Sequence, residues 1–129
     1  MLDAPNLMKM AQSLARHSGA RQAQIAKNIA NADVPGYRGR DLVDFSESYT
    51  RSQTADVRVT RAGHMLGNRG TGASYTTFDL GGESAPNGNN VSVEVEMARG
   101  TDAKSSHDLA LTVYKTSLDI LRASLGRGR

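Results

Sequence analysis

The chain has 129 residues, a formal net charge of +3, 38% hydrophobic and 5% aromatic residues, and neither Cys nor Trp. That is the size of one small domain with a thin core, and the missing thiols exclude a disulfide framework, a thiolate metal site and a cysteine nucleophile. No apolar run approaches the roughly 20 residues a membrane-spanning helix needs, and Asp3, Asn6, Lys9 and Gln12 interrupt any secretory h-region near the start.

Residues 1 to 5 read as a mobile lead, with Pro5 acceptable near a helix start. From Asn6, a plausible N-cap, to about Asn31 the spacing predicts a helix of about 26 residues, ~39 Å long. Its seam is Leu7, Ala11, Leu14, Ser18, Ile25 and Asn28, interrupted by Arg21 and weakened by Ser18. Gly19 lowers its intrinsic stability by roughly 1 kcal/mol relative to Ala. The helix should stop by about Asp33, because Val34-Pro35-Gly36-Tyr37 has the form of a tight turn. Proline presets φ at its second position, and glycine enters the left-handed region at its third. Asn31 suits a helix end or a local cap.

Residues 38 to 61 are mixed. Leu42, Phe45 and Tyr49 could share a helical face, or Asp41 to Phe45 could be an irregular segment against the first helix. Val57, Val59 and Met65 suggest a short strand. Residues 63 to 90 hold Gly63, Gly67, Gly70, Gly72, Gly81, Gly82 and Gly88, a composition expected to give a long mobile loop in the isolated chain. The Gly67–Gly72 stretch lacks the spacing and setting of a phosphate-cradling loop. Asn87-Gly88 is a turn signal, and Val91, Val93 and Val95 alternate as an extended piece would. The heptad seam then returns at Met97, Gly100, Lys104, His107, Leu111, Tyr114, Leu118, Leu121 and Leu125, strongest in its second half. Burying its large members contributes on the order of 10 kcal/mol gross, less than the ordering cost of a helix this long before hydrogen bonds. The stripe must therefore pack on the first helix, on neighbouring molecules, or on both.

Two stretches carry a resemblance. Residues 21 to 37, with Asn28, Ile29, Ala30, Asn31, Val34, Pro35, Gly36 and Tyr37 at their end, resemble the N-terminal signature of the bacterial flagellar rod, hook and hook-associated family. Val34 stands where that family usually has Thr. Asp44-Phe45 matches an Asp-Phe pair of the family. Gly88, Asn89 and Val91, followed by Glu96 and Met97, resemble the stretch that leads into its C-terminal helix, and His107 stands where Tyr is most common.

The expected fold is mainly α: N- and C-terminal helices paired as a coiled-coil hairpin around a Gly-rich, irregular or short-β middle. The segments are 1–37, 38–96 and 97–129, all one structural unit. Leu7, Leu14, Ile25, Leu111, Tyr114, Leu118, Leu121 and Leu125 are the expected helix or subunit packing residues.

The resemblance implies a non-enzymatic structural subunit of the proximal rod in the basal body, a homo-oligomer within a helical rod. Its implied partners are other flagellar rod proteins, the adaptor to the inner-membrane ring, and the flagellar type III export apparatus, which uses no cleaved signal peptide. Neither a cofactor nor a small-molecule substrate is implied.

The residues also bear on other classes. His17, His64 and His107 lack a second ligand at metal spacing, and no nucleophile elbow supports a Ser-His-Asp site. Lys9, Arg16, Arg21, Lys27, Arg38 and Arg40 outnumber Asp3 and Asp33 in the first forty residues, which keeps open a small helical nucleic-acid-binding or adaptor protein. They form no basic run, however, and a solvated helix face explains them more simply than a nucleic-acid contact.

Overall fold

The computed structural model describes residues 4–54 and 75–126. In chain order these form α1 (Ala4–Ala30), β1 (Arg40–Leu42), α2 (Phe45–Thr54), β2 (Thr77–Asp79) and α3 (Val93–Gly126). At 1.5 Å per residue α1 is about 40 Å long and α3 about 51 Å.

The first helix begins at Ala4, so Asn6 lies inside it rather than capping it. Pro5 falls in the opening turn, where its missing N–H costs no intrahelical bond. The last helix begins at Val93, ahead of the expected start at Met97. The Glu96 amide donates to the Ser92 carbonyl at 3.0 Å, and the Ser92 hydroxyl donates to the Glu94 carboxylate at 2.9 Å. A serine at the cap and two acids in the first turn favour a helix start. They outweigh the β preference of Val93 and Val95, which sit in that turn. The Glu94 carboxyl is held below its ordinary pKa first by its own backbone amide and then by Ser92.

The two long helices pack against each other. Asn28 meets Glu96, Ile25 lies beside Gly100, and Ala15 is hydrogen-bonded by His107. Leu7 and Ala11 share a groove with Ala110 and Val113. Rising numbers on one helix meet falling numbers on the other, so the helices run antiparallel.

The expected stripe on α1 does face inward: Ala11, Ser18, Ile25 and Asn28 are buried, and Leu7, Leu14 and Arg21 half-buried. On α3 the seam lies one residue away from half of its expected members. Glu96, Ala103, Ala110 and Ser117, seven apart, are buried, and Gly100, His107, Tyr114 and Leu121 between them are half-buried. Leu118 is half-buried, whereas Met97 is 62%, Leu111 49% and Leu125 85% exposed, and Lys104 is exposed. Met97, Lys104, Leu111 and Leu125 are therefore not the intramolecular seam. Small side chains let α1 approach closely, and the larger neighbours are turned outward by about 100°.

Between the long helices, β1 and β2 pair antiparallel, with Arg40 opposite Asp79 and Leu42 opposite Thr77. Neither expectation for residues 41–45 holds as made: Asp41 and Leu42 lie in a short strand rather than an irregular segment, and the helix that carries Phe45 and Tyr49 starts only after Leu42. The expected strand at Val57, Val59 and Met65 lies outside the described residues, as do His64 and Gly63–Gly72. His17, buried on α1, donates through Nε2 to the Val43 carbonyl at 2.8 Å. Its ring meets Phe45 and Tyr75 edge-on, and burial raises the Tyr75 hydroxyl above its ordinary pKa. The buried apolar residues are Ala11, Ile25, Leu42, Ala103 and Ala110, against buried polar His17, Ser18, Asn28, Asp41, Asn89, Glu96 and Ser117. Such a core is held by directional bonds as much as by apolar area.

Candidate assembly junction and packing faces

Where α1 ends, β1 begins and α3 starts, one fully buried side chain organises the contacts. Asn28 Nδ2 donates to the Arg40 carbonyl at 2.7 Å and to Glu96 Oε2 at 2.8 Å. Its Oδ1 accepts from Gln24 Nε2 at 3.1 Å, the Tyr37 hydroxyl at 3.2 Å and the Arg40 amide at 3.2 Å. Both donors of the amide are used, so an aspartate of the same shape could not replace it. Glu96, also buried, takes Arg99 Nη1 on its other oxygen at 2.6 Å. A buried carboxylate with a cation and an amide donor avoids the cost of an unpaired charge. Among the described residues, no buried side-chain nitrogen or oxygen lacks a partner.

The turn after α1 has Gly36 at φ 73°, and the Tyr37 amide donates to the Val34 carbonyl at 3.2 Å. This is a type II arrangement that needs glycine at its third position. Asn89 closes the helix end. Its Nδ2 lies within 3.0 Å of the Asn31, Ala32 and Val34 carbonyls, and its Oδ1 accepts the Val91 amide at 2.8 Å. These carbonyls belong to the turn that follows α1, where those of Asn31 and Val34 also accept the Val34 and Tyr37 amides. Asn31 adds a bond from its own Nδ2 back to the Lys27 carbonyl. The Gly36 amide donates to the Asn87 carbonyl at 2.9 Å. A side chain at Gly88, whose φ is 82°, would come within 3.4 Å of Gly36 Cα.

The structure thus brings together most of the residues read from the two sequence stretches. Asn28, Asn31, Gly36, Tyr37, Gly88, Asn89, Val91 and Glu96 make this junction, and Val34 contributes its carbonyl while its side chain is 44% exposed. Ile29 is half-buried. Ala30, Pro35 and Met97 are exposed at its rim.

Sequence reasoning missed the Arg21–Asp41 pair. Arg21 looked like a break in the α1 seam, yet its Nε and Nη2 reach the two Asp41 oxygens at 3.0 and 2.7 Å. Asp41 is 4% exposed, and its hydrogen bond is the first cause that raises the Arg21 pKa. Lone charges 20 positions apart carry no local signal of such a pair. The missed seam at Ala103, Ala110 and Ser117 did have one, a seven-residue recurrence of small residues.

Of the early basic residues, Arg21 is occupied by Asp41 and Arg38 lies 3.3 Å from Asp79. Among the described residues, no group of His, Asp or Glu could hold a metal ion, and no helix is long and apolar enough to cross a membrane.

Fold and junction together define a helical packing module. Two long helices are pinned at one end by a polar knot, and apolar side chains are left on the outside of α3. No family model matches the chain. Its sequence is similar to the flagellar basal body rod protein FlgB of Salmonella typhimurium, 28% identical over 107 residues that cover 76% of this chain and 77% of that protein.

Proposed function

We propose that the chain is a structural subunit of the bacterial flagellar basal body, a proximal rod component of the FlgB type. It packs by its helices into the shaft that carries motor torque from the inner-membrane ring toward the distal rod and hook. In this reading it is exported through the flagellar type III apparatus without a cleaved signal peptide. It then joins further copies, other rod proteins and the adaptor to the inner-membrane ring.

One observation carries the reading. Asn28–Tyr37 and Gly88–Met97, the two stretches that resemble the axial proteins, meet in a single buried knot through Asn28–Glu96 and Asn89–Val34. The similarity to a rod protein over most of both chains supports it. So do Met97, Leu109, Leu111, Ile120 and Leu125, large apolar side chains exposed on one helix beyond what a solitary hairpin needs.

The test is deletion of the gene in the source bacterium, followed by complementation with a tagged chain and isolation of basal bodies. The expected result is loss of motility and of filaments on deletion, with the tagged chain recovered in the rod fraction. Normal swimming after deletion, or a chain absent from isolated basal bodies, would overturn the reading.

A further inference from the structure

Asn87 is the one asparagine of the chain that is followed by glycine. After any other asparagine, a Cβ on the next residue crowds that residue's amide nitrogen away from the asparagine Cγ; Gly88 leaves the approach open. The fold itself requires glycine there. Gly88 has a φ of 82°, and a side chain on it would come within 3.4 Å of Gly36 Cα. The junction therefore carries a chemically labile pair that no bulkier residue at 88 could remove.

The same junction holds the pair out of reaction. The Gly88 amide, the nucleophile of cyclisation, donates to the Ala85 carbonyl at 2.7 Å, and the Ala85 amide donates back to the Asn89 carbonyl at 2.7 Å. Asn87 Oδ1 accepts the Asn89 amide at 3.0 Å, which fixes the direction of the carboxamide. The Asn87 carbonyl accepts the Gly36 amide at 2.9 Å. An N–H that is already donated loses its proton less readily than a free one. Asn87 is exposed, so hydrogen bonding protects it rather than burial, and the protection lasts only while the loop is closed.

We propose that Asn87 is a deamidation site, shielded by the closed junction and reactive whenever the junction opens. In the open chain the Gly88 nitrogen gives up its proton and attacks Asn87 Cγ. A C–N bond forms to it, the bond from Cγ to the side-chain nitrogen breaks, and ammonia leaves with the proton. Water then opens the succinimide at either carbonyl, giving aspartate or isoaspartate at position 87. Aspartate keeps the main chain and an oxygen that accepts the Asn89 amide. Isoaspartate routes the main chain through the former side chain and lengthens it between residues 87 and 88. The Gly36–Asn87 and Gly88–Ala85 bonds then cannot both form. Asn89 loses its register on the Asn31, Ala32 and Val34 carbonyls. A reversible opening thereby becomes a one-way step. This chemistry belongs to the junction alone and is independent of the rod reading.

The test is to incubate the purified full chain at mildly alkaline pH, in buffer and in guanidinium chloride, with circular dichroism reporting the folded state. Peptide mapping by mass spectrometry follows asparagine, aspartate and isoaspartate at position 87. In buffer Asn87 should be lost at least about tenfold more slowly than in denaturant. Asn89→Ala, which keeps Asn87 and Gly88 but cuts their tie to α1, should bring the rate in buffer toward the denatured one. When the aged, denatured sample is refolded and passed over a sizing column, aspartate should elute with the compact chain and isoaspartate should be depleted from it. Asn87→Asp should melt close to the native chain. Equal loss of Asn87 in buffer and denaturant, or an Asn89→Ala chain that ages as slowly as the native one, would overturn the shielding. Isoaspartate that refolds as well as aspartate, or an Asn87→Asp chain as unstable as the isoaspartate form, would overturn the one-way step.

Discussion

The two ends of the packed pair of long helices are specified in different ways. At the junction, contacts are polar, buried and individually irreplaceable: Asn28 uses both donors and its acceptor oxygen, and Asn89 reaches three carbonyls. Along the rest of the seam, Ala103, Ala110 and Ser117 supply little beyond the absence of bulk, and they are 1–2% exposed. Hydrogen bonds have fixed directions and lengths, so the junction sets the register of α3 on α1. Small-residue packing has no such direction; it sets how near the helices come. The molecule therefore fixes its geometry at one end and leaves its large apolar side chains, Leu109, Leu111, Ile120 and Leu125, available along the other.

Replacing the central amide should break this contrast most severely. Asn28→Ala leaves the Arg40 backbone groups, the Tyr37 hydroxyl and one Glu96 oxygen short of a partner. It should lower unfolding stability by about 3 to 4 kcal/mol in a chemical denaturation experiment. Asn89→Ala should cost about 2 kcal/mol, because the Asn31, Ala32 and Val34 carbonyls of the turn after α1 can turn partly to water. Amide exchange should speed up first in the last turn of α1.

The far end is probed by two adjacent residues of opposite role. Ala110→Leu forces bulk into the seam and should cost about 1 to 3 kcal/mol, whereas Leu111→Ala should change the monomer by about 0.5 kcal/mol or less. Equal costs at the two positions would place the seam where the heptad of large residues suggested.

The smallest effect is expected at the exposed edge of β2. The Gly81 amide, more than Arg38 or Asn90, holds the Asp79 carboxyl below its ordinary value of 3.8. A lowered folded pKa stabilises above the unfolded value, and that contribution disappears as pH falls from about 3.8 through the folded value. Asp79→Asn should flatten the acid-side pH dependence of the melting temperature, lowering it slightly at neutral pH and leaving it nearly unchanged at acid pH.

The sequence by itself determined the local features. Proline and glycine at 35 and 36 shape the turn after α1, and apolar residues recurring every three or four positions mark both long helices and the inward stripe of α1. Local sterics and helical periodicity act over a few residues and need no partner, so they can be read directly. Other features depended on what stands opposite. Arg21 looked like a flaw until Asp41 came beside it, and Val93 and Val95 looked extended until Ser92 capped them into a helix. On α3, size suggested Leu111 and Leu118, but close approach of α1 favoured Ala110 and Ser117. Only the tertiary structure decided which face of α3 turns inward, because that choice depends on the separation and register of two helices. A buried hydrogen bond from the Asn28 amide to the Glu96 carboxylate, between residues 68 positions apart, sets them.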